Sequence, residues 1–126
     1  MGFLDRLRAS QSNTITNWKN LTSTSQLEEI DELSKAQPVI IFKHSTTCGI
    51  SAGAKNRLES GWEAIPEDAT LYYLDLLSYR AVSNAIADRY GVRHESPQII
   101  VIRDGKASYN VSHHAIQPQA IAGALA

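Results

Sequence analysis

The sequence predicts an α/β domain, a central mixed β-sheet flanked by helices. Three observations predict it. Val39-Ile40-Ile41-Phe42, Leu71-Tyr72-Tyr73-Leu74 and Ile99-Ile100-Val101-Ile102 are short apolar runs rich in β-branched and aromatic residues, the composition of strands buried on both faces. Segments with apolar residues at helical spacing separate the runs. Asp104-Gly105 follows the third run directly and is a strong hairpin signal, so at least one strand pair is antiparallel. At 126 residues and 13.9 kDa, with 43% hydrophobic and 20% charged residues, the chain suits one packed domain.

Each element has its own signals. Ala9 to Thr16 is polar, and residues 1–17 are expected to form a mobile leader before a domain over 18–126. Trp18 and Leu21 are the first apolar anchors, in a short extended segment. Ser25 and Glu28 have the spacing of a capping box, and Leu27, Ile30 and Leu33 recur at helical spacing behind them. Gln37-Pro38 ends that helix. The 39–42 strand empties into His44-Ser45-Thr46-Thr47-Cys48. A second helix then runs from Ile50 with Ala54, Leu58 and Trp62 four apart, bracketed by Gly61 and Pro66.

The second strand closes at Asp75. Ser78 is the expected cap of a third helix carrying Val82, Ala85, Ile86 and Tyr90, and Gly91 suits its C′ position. His94-Glu95-Ser96-Pro97 is non-helical, because the residue before proline avoids the α region. Lys106 to Val111 is the return strand of the hairpin. Pro118 starts a last helix over Gln119 to Leu125. The thioredoxin-like fold has this order of elements, and periodicity alone leaves it among several α/β options.

Charge and cysteine content exclude several functions. Twelve Lys and Arg stand against 13 Asp and Glu, a formal net charge of -1, which argues against a surface for nucleic acid or an anionic membrane. No apolar run is long enough to span a bilayer. Met1 to Arg8 is too short and charged for an export signal, which makes a cytoplasmic location the expectation. Cys48 is the single cysteine, so intrachain disulfides, C-x-x-C chemistry and multi-cysteine zinc sites are excluded. The four histidines show no metal-ligand spacing, and no bound cofactor is expected. His113 and His114, in an extended segment, would point opposite ways.

Cys48 is the candidate nucleophile. It follows a buried strand and opens a helix, where unpaired backbone N–H groups and the positive dipole end favour a thiolate. A lone cysteine is more often a small buried hydrophobe. Here its neighbours are Thr46, Thr47, Gly49 and Ser51, which form no apolar stripe. Gly49 and Ser51 leave room for a partner sulfur, and the Ser51 hydroxyl is spaced to donate to the thiol. Lys43 and His44 add positive potential. Pro97 is either a cis proline that exposes the backbone of Ser96 to an extended substrate or an ordinary proline leading into a strand. His94 either faces the thiol or satisfies a loop carbonyl. Glu95 is either a solvated charge or the partner of Lys43.

The segment Ile41-Phe42-Lys43-His44-Ser45-Thr46-Thr47-Cys48-Gly49-Ile50-Ser51 resembles the active-site segment of the monothiol bacilliredoxins of the YtxJ type. Val92-Arg93-His94-Glu95-Ser96-Pro97-Gln98 resembles that family's second loop, and Tyr79 to Asn84 and Ser112-His113 resemble further family segments. The similarity runs from about Trp18 to Ile116. It implies a thioredoxin-like fold and removal of bacillithiol, the low-molecular-weight thiol co-substrate, from S-thiolated client proteins in the cytosol. It puts Cys48 on the active cysteine and Pro97 on a cis proline, with Thr47, Gly49, Ser51 and Ser96 beside the substrate. Lys43, His44, His94 and Glu95 are then supporting residues.

One departure is Gly49, where the family commonly has proline. It brings the motif closer to the C-G-F-S of monothiol glutaredoxins, which carry iron–sulfur clusters. An iron–sulfur carrier is therefore the alternative function. Lys43, much nearer the cysteine than the glutaredoxin lysine, and the His-Glu-Ser-Pro loop both favour the oxidoreductase.

Overall fold

The computed structural model describes residues 18–126, so the expected leader lies outside the described residues. In chain order the elements are β1 (Trp18–Asn20), α1 (Gln26–Leu33), β2 (Val39–His44), α2 (Gly49–Ser60), a 3-10 turn (Trp62–Ala64), β3 (Thr70–Asp75) and α3 (Arg80–Tyr90). They continue with β4 (Gln98–Arg103), β5 (Lys106–Ser112), a second 3-10 turn (His113–Ala115) and α4 (Pro118–Leu125). The five strands form one sheet in the order β1-β3-β2-β4-β5. β1, β3 and β2 run parallel, and β4 and β5 are antiparallel to their neighbours.

β2 lies at the centre and every one of its residues is buried. Its alternation divides the core in two. Val39 and Ile41 pack with Leu27 and Ile30 of α1 and Val82 and Ile86 of α3. Ile40 and Phe42 pack with Ala54 and Leu58 of α2 and Ile121 and Leu125 of α4. Each fully buried aliphatic side chain contributes roughly 1.5–3 kcal/mol, and these two layers fix which helix lies on which face. The same alternation sends Lys43 to the α1/α3 face and His44 to the α2/α4 face.

Local chemistry sets the ends. Asp104 and Gly105 both have positive φ, 50° and 71°, as a two-residue turn matching strand twist requires. Ser34, which caps the C-terminus of α1, holds this hairpin: its carbonyl accepts the Asp104 N–H at 3.0 Å and its Oγ the Gly105 N–H at 2.9 Å. Asp31 ties α1 to α3 by accepting from Arg89 and from the Tyr90 hydroxyl at 2.7 Å. Gly91 ends α3 with φ 65°, as expected of a C′ glycine.

Two expected caps take other forms. Ser25 makes no side-chain cap bond to α1. Instead Gln26 Oε1 accepts the N–H groups of Thr22 and Ser23 at 2.7 and 3.1 Å, so a glutamine-closed turn replaces the capping box. Ser78 likewise does not cap α3, whose N-cap is Tyr79. Its hydroxyl donates to Asp75 Oδ2 at 3.0 Å, because Asp75 closes its own turn by accepting the Leu77 N–H.

Candidate active site around Cys48

The site grows out of the C-terminal end of β2. After His44 the chain turns through Ser45–Thr47, and Cys48 becomes the N-cap of α2 with φ -103° and ψ 124°. Its carbonyl accepts the first helical N–H, from Ala52, at 3.0 Å, and its own N–H donates to Ser45 O at 3.3 Å. Ser51 is fully buried, and its Oγ accepts the Ser45 N–H at 3.0 Å. Ser51 therefore clamps the turn to the helix, a different task from the expected donation to the thiol. Cys48 is half-buried, and Thr47, Gly49 and Ile50 around it are exposed. Ile50 thus leaves the apolar stripe that Ala54 and Leu58 continue. No acidic residue occupies the first turn of α2 to offset the dipole.

Sheet register brings the second loop to this turn. Lys43 pairs with Gln98, so Pro97 and Ser96 continue the line beside His44 and Ser45. The Ser96-Pro97 bond is cis. Pro97 is buried, and its carbonyl accepts the His113 N–H at 3.0 Å. The Ser96 hydroxyl is buried and has no hydrogen-bond partner among the described residues, an uncommon state for a polar atom.

The supporting residues separate by face. Lys43 is fully buried; its Nζ donates to Ser83 O and meets His94 Nδ1, each at 3.3 Å. Desolvation pushes its amine down to about 8. His94 Nδ1 also meets Ser83 Oγ at 3.2 Å. Burial, then the charges of Lys43 and Arg80, hold its imidazole below the usual histidine range. On the opposite face His44 sits between the rings of Phe42 and Tyr73, with centroids 5.4 and 5.3 Å away. Burial, then Lys55, lowers its pKa as well. The positive potential expected from Lys43 and His44 is thus corrected. His44 is neutral at neutral pH, and the Lys43 amine points away from α2.

Glu95 is not the partner of Lys43. It accepts from the Ser112 hydroxyl, and its Oε2 lies 3.9 Å from His113 Nδ1. Gln98 braces the loop from inside, accepting the Glu95 N–H at 3.4 Å and donating to Arg93 O at 3.0 Å. His113 and His114 lie in a 3-10 turn, not in an extended segment, and His113 has φ 55°. Arg57 of α2 pins that turn by donating to the carbonyls of His113 and Ile116 at 2.9 and 3.1 Å. Ser83, Gln98 and Ser112 fall within the family-like segments but had no role assigned from sequence, and Arg57 was not singled out. A serine on the buried face of α3 was the one available signal for such a role.

The family model for the monothiol bacilliredoxin BrxC matches residues 19–121. The chain belongs to the monothiol bacilliredoxin family. Its architecture agrees with solved structures of the thioredoxin fold. A candidate oxidoreductase with a thioredoxin fold is 31% identical, with a TM-score of 0.73 over 86% of this chain and 93% of that one. A single-site variant of the thioredoxin from Halobacterium salinarum is 19% identical, with a TM-score of 0.64 over 86% and 88%. The thioredoxin from Fasciola hepatica is 19% identical, with a TM-score of 0.61 over 78% and 88%. This bacilliredoxin therefore has a thioredoxin-like fold with a single cysteine, and family and fold together support a redox function. Among the described residues no helix is long and apolar enough to cross a membrane.

Proposed function

We propose that this bacilliredoxin is a monothiol thiol–disulfide oxidoreductase that takes bacillithiol from mixed disulfides on cytosolic client proteins. The observation that carries this reading is the place of the sole cysteine, half-exposed at the N-cap of α2, with the β2–β4 register running Ser96-Pro97 alongside the turn before it. The Cys48 thiolate attacks the bacillithiol sulfur of the mixed disulfide. A new S–S bond joins Cys48 to the small thiol, and the client sulfur leaves as a thiolate with the bond's electron pair. A second bacillithiol thiolate then attacks the adduct, releasing the Cys48 thiolate and a symmetrical small disulfide. The client sulfur is reduced, the incoming bacillithiol is oxidised, and the bacillithiol taken from the client stays at the disulfide level throughout.

The free N–H groups of the first turn of α2 face negative charge on sulfur. Ser96 offers a backbone edge to the extended client segment. Release of the free client thiol from a bacillithiolated protein tests the reading. Wild type is expected to release it catalytically when bacillithiol is supplied, and Cys48→Ser is expected to release none above background. Turnover by Cys48→Ser would overturn the reading.

A second reading rests on Gly49, the residue that brings the motif near the cluster-carrying glutaredoxins. A visible absorption spectrum of protein purified without oxygen separates the two. Cluster absorbance lost in Cys48→Ser would favour an iron–sulfur carrier.

A further inference from the structure

A fully buried lysine without a carboxylate partner is costly to keep, and Lys43 is one. Among the described residues its hydrogen-bonding partners are neutral, Ser83 O on α3 and His94 Nδ1 on the loop before β4. The same His94 nitrogen meets Ser83 Oγ, so β2, α3 and the loop converge on one imidazole atom. His94 is otherwise exposed, and its side chain ties the loop to β2 and α3, while Glu95 ties it to β5 through Ser112. Ser96 lies two residues further along the same loop.

We propose that Lys43, Ser83 and His94 form a latch that positions the 94–97 loop, and Ser96 with it, beside the Cys48 turn, and that protonation of His94 opens it. His94 and Lys43 are positioning residues on this account, acting through Ser96. The consequence for turnover rests on the proposed reaction, whereas the latch itself does not.

The chemistry follows from one lone pair. Nδ1 accepts a hydrogen bond only while the imidazole is neutral with its proton on Nε2. Once Nδ1 is protonated it becomes a donor aimed at an ammonium 3.3 Å away. The charged groups around His94 act in both directions. Lys43 from β2 and Arg80 from α3 disfavour its cation, and Glu95 on its own loop favours it. Glu95 also serves Ser112 and faces His113, so acidification weakens the latch on the β2 and α3 side and leaves the β5 side in place. The latch is closed above the ordinary histidine range and opens as pH falls below it.

Hydrogen–deuterium exchange of the full chain reads the latch without any assay of activity. Rates are corrected for intrinsic exchange, and α4 serves as the control for global opening. In wild type the 92–96 amides are expected to lose roughly tenfold protection between about pH 8 and about pH 5.5, with α4 unchanged. His94→Ala is expected to show the low-pH level at both values. Lys43→Met is expected to loosen the same segment even though its overall stability rises. In steady state, His94→Ala is expected to raise KM for the mixed disulfide severalfold with kcat within about twofold.

Equal protection of 92–96 in wild type and both variants at about pH 8, or wild-type protection that ignores pH, would overturn the latch. If His94→Ala does not fold, His94→Asn and Lys43→Met carry the same comparison. A protein with the pH-dependent loop but no de-thiolation would retain the latch and lose the proposed function.

Discussion

At Lys43 the cost and the use of a residue separate. Folding moves its amine from 10.5 down to about 8, so the folded chain binds that proton less tightly than the unfolded one. The penalty is absent above about pH 10.5, grows as pH falls through about 8, and is complete at neutral pH. It amounts to about 3 kcal/mol. Lys43→Met, which keeps the length and removes the charge, is therefore expected to raise stability at pH 7 by up to that amount. The gain should shrink as pH approaches the unfolded value. Urea unfolding at about pH 7 and about pH 9.5 checks both the size and the trend. Gly49 is the opposite case, a position open to change. An added Cβ there meets nothing within 4 Å. Gly49 is the first residue of α2, and Cys48 before it already has the extended backbone that proline demands of its predecessor. Gly49→Pro is expected to raise stability by about 0.4–1 kcal/mol and to preserve or improve de-thiolation. Collapse of turnover in a folded Gly49→Pro protein would assign a catalytic task to the Gly49 N–H.

The working element is the β2–turn–α2 unit, and one buried hydroxyl holds it together. Ser51→Ala leaves the Ser45 N–H without its acceptor. A loss of about 1–3 kcal/mol is expected, together with lower turnover as the Cys48 turn loosens; a denaturant midpoint measured beside an activity assay separates the two effects. At the far end of α2 the spacing is tighter. A Cβ on Gly61 would sit 2.6 Å from Pro118 Cγ. Gly61→Ala should therefore push α4 away from α2 and cost about 1–3 kcal/mol in a thermal melt. Its φ of -110° is ordinary, so the contact rather than the backbone sets that cost. The helix caps were less legible from sequence than the strands. Ser25 and Ser78 have cap-like spacing, but their hydroxyls are engaged by Ser23 Oγ and Asp75 Oδ2 instead. Spacing cannot rank such local competitors.

Across the whole molecule, the sheet made the site readable in advance and also concealed part of it. The runs at 39–42, 71–74 and 99–102 appear as β2, β3 and β4 because buried central strands leave a long apolar signature. The order of elements put Cys48 at the start of a helix, and the antiparallel β2–β4 pairing set Ser96-Pro97 beside it. What stayed hidden were tertiary partners. Lys43 and His44 are neighbours in sequence, but strand alternation sends them to opposite faces. Lys43 reaches Ser83, 40 positions away, and His94, 51 positions away. No local pattern marks such pairs. The alternative partner for Lys43, Glu95, instead lies in the set formed with Ser112 and His113.

The central claim is that Cys48 carries the small thiol between client and reductant. Intact-mass spectrometry after mixing the reduced protein with a bacillithiolated client, in the absence of added thiol, tests it most directly. With one sulfur and no resolving cysteine, the chain is expected to halt at a Cys48 mixed disulfide, heavier by one bacillithiol residue, while an equal amount of client appears with a free thiol. Added bacillithiol should return the original mass. Client released without the adduct, or an adduct formed with the client protein that the small thiol never replaces, would contradict the account.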